Sequence, residues 1–185
     1  MSGIPYTYPL HHHSHPGILP DLPDHHHNQL PVALALGSNS GNAETIFDRA
    51  CDLLQQNGFS VEKRAPVIRT APVDCPEGTP DFSNSALTGY WIGSAEELLK
   101  LTQSIEETLG RPADHIYHDV RTCDIDIIIF GDQIINTPQL TIPHPRAQER
   151  DFVLQPLSQI APEWIFPDSR ITVGSAREKL LAAQN

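Results

Sequence analysis

The chain has 185 residues, 19% of them charged, with a net charge of −11 and a pI near 5.2. That length holds one good core, so a single folded domain is expected. The acidic balance lacks the basic footprint of a nucleic-acid binder, and no apolar run is long enough to cross a membrane.

Residues 1–31 carry seven of the ten histidines and six prolines. They offer little that could pack, so this segment is expected to be disordered. Its histidines suggest weak binding of zinc, nickel or copper, since neutral imidazole suits those ions. No Lys or Arg precedes Arg49, so the basic start of a secretory or mitochondrial presequence is missing. Cys51, Cys75 and Cys123 are scattered, odd in number and without a C-x-x-C pair. They argue against disulfides and zinc, and for a reducing, cytoplasmic setting.

Residues 32–185 form the expected domain. Val32–Leu36 reads as a short strand, Gly37–Gly41 as a tight turn, and Asn42 as an N-cap. Ile46, Phe47, Ala50, Leu53 and Leu54 recur at helical spacing up to Gly58. Phe59–Thr70 reads as a strand with an edge or bulge at Pro66. A proline-rich loop leads to a strand over Asp81–Ile92. Ser94 and Glu97 form a capping box for a helix that ends at Gly110 and points Leu98, Leu101, Ile105 and Leu109 inward.

After a polar loop comes Asp124-Ile-Asp126-Ile-Ile-Ile-Phe130, an apolar, β-branched run that reads as a buried central strand. Gly131-Asp132 reads as a turn, with Gln133–Thr137 pairing back. Short helices are expected around Asp151–Ile160 and Ser175–Ala183. The order strand, helix, strand, strand, helix, strand is the split βαβ arrangement. The expected fold class is therefore α+β: a ferredoxin-like antiparallel sheet with helices on one face, plus C-terminal helices. The other face is left for a ligand.

Side chains two apart on a strand share a face, so Asp124 and Asp126 point the same way, with Arg121 just before them. Two like charges side by side need a cation between them. Mg²⁺ is the plainest candidate, because it accepts carboxylates and then substrate phosphates. A solvated strand end with an Asp–Arg ion pair is the alternative. The glycine turn at 37–41 lacks the Gly-Lys-Ser/Thr ending of a phosphate loop. His144, Arg146 and Arg150 bring three phosphate-capable donors within seven residues, against a reading as ordinary capping and surface pairing. Thr70-Ala-Pro72 with Phe82 and Asn84 could hold a flat heterocycle.

As a set, several segments resemble the 6-hydroxymethyl-7,8-dihydropterin pyrophosphokinase family. They are Ala35-Leu-Gly37-Ser-Asn39, Thr70-Ala-Pro72, Asp81-Phe-Ser-Asn84, Gln103-Ser-Ile-Glu106, Arg121-x-x-Asp124-Ile-Asp126, Ile142-Pro-His144-Pro-Arg146, Arg150-Asp-Phe152 and Ala161-Pro-Glu-x-x-Phe-Pro167. The resemblance implies a transferase of folate biosynthesis that moves pyrophosphate from ATP to the pterin hydroxymethyl group. It implies two Mg²⁺ ions held by Asp124 and Asp126, with Arg121 as a catalytic phosphate contact. It further implies ATP contacts from Gln103, Glu106, Arg111, His144 and Arg150. Thr70, Pro72, Val73, Phe82, Asn84 and Phe152 would hold the pterin, stacked between the two Phe rings.

The loop between Arg111 and Arg121 departs from the family's basic pattern. Ala113, Asp114, Tyr117, His118, Asp119 and Val120 stand where cations, Trp and Gly-Pro are usual. Two anions near a triphosphate weaken loop closure. That departure keeps open a second reading, a diverged pterin-binding paralogue with altered substrate or little turnover. A nucleotidyltransferase palm is a third, disfavoured by the acidic surface and the heterocycle pocket.

Overall fold

A computed structural model describes residues 29–71, 76–78, 81–110 and 123–184. The strands are β1 (Gln29–Ser38), β2 (Ser60–Arg64), β3 (Ile68–Thr70), β4 (Phe82–Ile92), β5 (Asp124–Phe130), β6 (Ile135–Asn136) and β7 (Thr141–Ile142). The helices are α1 (Ala43–Gln56), α2 (Ala95–Gly110), α3 (Asp151–Ile160) and α4 (Val173–Ala183).

The main sheet runs β2-β4-β1-β5, with β3 continuing the β2 edge along β4, and every pairing is antiparallel. This is the ferredoxin-like order. β1 starts at Gln29, three residues inside the segment expected to lie outside the fold. Gly37 and Ser38 belong to β1, so the turn begins only at Asn39. Proline at position 66 separates β2 from β3, as a residue without an N–H should on an edge.

Strand alternation builds two different layers. Val32, Leu34 and Leu36 of β1, Leu87 and Trp91 of β4, and Ile125 and Ile127 of β5 join Ile46, Phe47, Leu54, Leu98, Ile105 and Leu109 from α1 and α2. Ala33, Ala35 and Ala86 face the other way, against Val153, Leu154, Leu157, Phe166 and Val173. Helices α3 and α4 thus cover part of the face expected to stand free. Small residues on this side let α3 approach closely.

Strand β5 is an edge strand, not the central one expected; among the described residues its one strand partner in the sheet is β1. It is buried all the same, because α2 closes one side and the segment after β7 closes the edge. The β1–β5 register shifts between Ala33 and Leu34, leaving Ile128 as an extra residue without a partner on β1. The Ile128 carbonyl instead accepts the His144 backbone N–H at 3.3 Å. Residues after the Gly131 turn do not pair back on β5; Ile135 and Asn136 pair with Ile142 and Thr141 in a separate two-stranded ribbon.

The capping box is present. Glu97 N–H donates to Ser94 Oγ at 3.1 Å, and Ser94 N–H donates to Glu97 Oε1 at 3.3 Å. Asn42 occupies the N-cap position of α1 but makes no side-chain capping bond.

Candidate active site

Cross-strand register lines up the site. Ile68 stands opposite Asn84, Asn84 opposite Gly37, and Gly37 opposite Asp124. The next row is Ala86, Ala35 and Asp126. Neighbouring strands lie roughly 4.8 Å apart, so the backbones of Asn84 and Asp124 are separated by about 10 Å on one face. Phe82 and its partner Thr70 lie on that face too, and Thr70 Oγ donates to the Phe82 carbonyl at 3.3 Å.

Gly37 makes room at the β4 end of this row. A Cβ there would stand 3.2 and 3.3 Å from two atoms of the Phe82 ring and 3.5 Å from Asn84 Oδ1. The ring and the amide therefore converge over a backbone that has no side chain of its own. Asn84 is 4% exposed, and among the described residues its Nδ2 has no hydrogen-bond partner. An unpaired buried donor costs roughly 1–3 kcal/mol, which a hydrogen-bonding ligand can recover.

At the β5 end, Asp124 and Asp126 are exposed while Ile125 and Ile127 between and after them are buried. Partial burial, and then the Asp126 charge, push the Asp124 carboxyl up from its ordinary value. Glu106 of α2 approaches the same place. Burial and the neighbouring Asp124 raise it to about 7, although a hydrogen bond to the Ile125 backbone acts in the opposite direction. The buried Cys123 thiol is pushed up to about 12 by burial and then by Glu106 and Asp124.

Among the described residues, neither aspartate has an ion-pair partner. No group of three or more His, Cys, Asp or Glu among them could hold a metal ion. A pair of carboxylates nevertheless fits Mg²⁺, which keeps waters and shares its remaining positions with phosphate oxygens.

His144 reaches this end from the β7 side. Burial holds its imidazole below the usual range; Asp126 draws it up and Arg150 pushes it further down. Its Nδ1 accepts the Arg146 N–H at 3.4 Å, so in the neutral ring Nε2 carries the proton. Arg150 precedes α3, and its guanidinium lies 5.6 Å from the centroid of the Phe152 ring, a cation–π contact. Phe152 is 42% exposed.

The structure thus brings together Asp124, Asp126, Glu106 and His144 at one end, and Phe82, Asn84 and Thr70 at the other. Arg150 and Phe152 form a pair at the start of α3. Gln103 is exposed on α2, one turn before Glu106. Pro72, Val73, Arg111 and Arg121, and the whole loop 111–120, lie outside the described residues. Sequence reasoning missed two long-range contacts behind the basic turn. Arg177 Nε donates to Asp151 Oδ1 at 3.2 Å, and Gln148 Nε2 donates to Asp168 at 3.1 Å. It also read Gly37 only as a turn residue, although a glycine at a strand end is itself a sign of close approach.

Fold and site define an α+β protein of the ferredoxin-like type, with an acidic pair and an unpaired amide across one sheet face. A family described as 7,8-dihydro-6-hydroxymethylpterin-pyrophosphokinase matches residues 33–162, and the chain belongs to that family of transferases. The 2-amino-4-hydroxy-6-hydroxymethyldihydropteridine pyrophosphokinase of Bacillus subtilis is 42% identical over 128 residues, 69% of this chain and 75% of that one. The Synechocystis protein of the same name is 34% identical over 154 residues, covering 83% and 76%. A mitochondrial folate synthesis bifunctional protein of Arabidopsis thaliana is 39% identical over 126 residues, 68% of this chain but only 22% of the relative. Among solved structures, Plasmodium falciparum HPPK-DHPS with pteroate superposes with a TM-score of 0.68 at 16% identity. The match covers 84% of this chain and 43% of that one, and shows the fold. Among the described residues, no helix is long and apolar enough to cross a membrane.

Proposed function

We propose that the protein transfers pyrophosphate from ATP to 6-hydroxymethyl-7,8-dihydropterin, an Mg²⁺-dependent step of folate biosynthesis. The observation that carries this reading is the row across the sheet. It ends in an unpaired Asn84 amide under Phe82 at one side and in the Asp124–Asp126 pair at the other.

Asn84 Nδ2 donates to an acceptor of the heterocycle, and Phe82 offers its ring as a stacking face, with Phe152 opposite. Thr70 flanks Phe82 on this face, and Pro72 and Val73 are proposed as further pterin contacts. This orients the pterin so that its hydroxymethyl oxygen faces the β5 end. Asp124 and Asp126 would hold Mg²⁺, which when bound neutralises the triphosphate and fixes its oxygens in line. His144 Nε2–H and Arg150, with Arg121, donate to phosphate oxygens. Gln103, Glu106 and Arg111 are proposed as nucleotide contacts. The pterin hydroxyl oxygen attacks the β-phosphorus and releases its proton to solvent, the bond to the α-phosphate oxygen breaks, and AMP leaves. Little covalent work falls to the protein; positioning and charge do most of it. The buried free thiols Cys51 and Cys123 support a reducing, cytoplasmic setting.

Incubation with Mg-ATP and 6-hydroxymethyl-7,8-dihydropterin should yield AMP and the pterin diphosphate in equal amounts. Pterin binding without AMP would instead identify a diverged paralogue, with Asp114 and Asp119 in the altered loop as the residues to revert first. ADP as the product would overturn pyrophosphoryl transfer.

A further inference from the structure

Helix α4 lies beyond residue 162, where the family match ends. Its Arg177 reaches back to Asp151, the first residue of α3, with both side chains 33% exposed. Asp151 sits between the two residues of the α3 start that the proposed function uses. On one side is Arg150, whose carbonyl accepts the N–H groups of Val153 and Leu154 at 3.0 Å and so opens the helix. On the other is Phe152, which carries the Arg150 guanidinium over its ring.

Asp151 is thus a carboxylate beside the arginine proposed to take a phosphate. An unpaired carboxylate there would be a built-in competitor, since guanidinium and carboxylate form strong charge-assisted bonds. We propose that Arg177 is a positioning residue: it occupies Asp151 and thereby leaves Arg150 stacked on Phe152 and available to an anionic substrate. The inference rests on the pyrophosphokinase reading and adds to it a contact outside the matched segment. As a contribution to stability the pair is minor, because partly exposed ion pairs are worth little. Its value lies in which partner Arg150 takes.

Two features keep the geometry firm. Val173 and Ala176 are buried against Ala147, Val153 and Leu154, so the backbone of α4 is held by packing rather than by Arg177. Gln148 is fixed separately, donating to Asp168 and accepting from Ser169 Oγ at 2.7 Å. Removing the Arg177 side chain should therefore free Asp151 without unseating the helix.

The experiment compares wild type, Arg177→Ala, Arg177→Lys, and the double variant Arg177→Ala with Asp151→Asn. Each is measured for KM and kcat in the pyrophosphoryl-transfer assay. Each is also titrated calorimetrically with the Mg complex of a non-hydrolysable ATP analogue. Arg177→Ala should weaken nucleotide binding about tenfold, the worth of one charge-assisted hydrogen bond, and raise the KM for Mg-ATP accordingly. Arg177→Lys should recover part of this. The double variant should return close to wild type, because the competing carboxylate is gone. A double variant as impaired as Arg177→Ala would mean that Arg177 acts only through packing, and would overturn the proposal. So would an Arg177→Ala protein with unchanged affinity. A wild-type protein that forms no AMP defeats the proposed function, yet the titration still judges whether Arg177 governs nucleotide binding.

Discussion

The two faces of the sheet use the same strands in opposite ways. Toward α1 and α2, β1 presents Val32, Leu34 and Leu36, and the layer is filled by large aliphatic and aromatic side chains. Toward α3 and α4 it presents Ala33, Ala35 and Gly37, and the layer thins from packed helix to open floor. One face is built to exclude water and the other to leave a gap of chosen depth. Stability and ligand binding are thereby assigned to alternate residues of one strand, so a substitution on one face should leave the other's task largely intact.

The sharpest way to break that division is at the acidic pair. Asp124→Ala or Asp126→Ala should lower the transfer rate by at least about a thousandfold, since metal-borne charge stabilisation is worth several kcal/mol. The metal-free variants should melt at the same temperature as wild type or higher, because one of two like charges is gone. A loss of activity that merely tracks a loss of fold would erase the distinction between the faces.

On the packed face, Leu98→Ala should cost about 2–5 kcal/mol in urea unfolding. Its KM values should stay near wild type. Asn84→Ala is the converse. It should weaken pterin binding by about ten- to a hundredfold with little change in stability or in Mg-ATP affinity, as calorimetry would show. Gly37→Ala should give a milder version of the same selectivity, since its Cβ would press on the Phe82 ring.

The smallest effect concerns pH. Burial and the neighbouring Asp124 raise the folded-state pKa of Glu106 from the ordinary 4.5 to about 7. Between those values the folded state binds more protons than the unfolded one, so stability falls as pH rises through that window. Asp124 is shifted in the same direction. The melting temperature of the metal-free protein should therefore decline from about pH 5 to about pH 7.5, and Glu106→Gln should flatten that slope. A slope of equal steepness in the variant would place the titration elsewhere.

Much of this was legible in the residues because short-range rules governed it. Asp124 and Asp126 share a face by strand periodicity, and Ser94 with Glu97 announced the start of α2. The strand–helix order alone led to the ferredoxin-like sheet. What escaped depended on distance along the chain. Nothing local marks β5 as an edge strand, because α2 and the His144 segment bury it as thoroughly as neighbouring strands would. The pairing of Ile135 with Ile142 won over a return to β5 because Ile128 turns its carbonyl to His144 instead. Asp151 and Arg177 are 26 residues apart, and no periodicity connects them. At the site, Asn84 was legible as a polar residue in a strand, whereas its burial without a partner for Nδ2 among the described residues is a property of the assembled sheet.

Cys123 has a practical use that follows from its position. It immediately precedes Asp124, is 3% exposed, and holds its proton to about pH 12. A thiol in that condition reacts with alkylating reagents only when the start of β5 lifts away from the sheet, so its modification rate times that opening. In a protein with Cys51 replaced by alanine and Cys75 by serine, the slow reactivity of Cys123 becomes a clock for the strand that carries the acidic pair. Ligands gripping Asp124 and Asp126 would slow the clock, while those confined to the Asn84 end would leave it running.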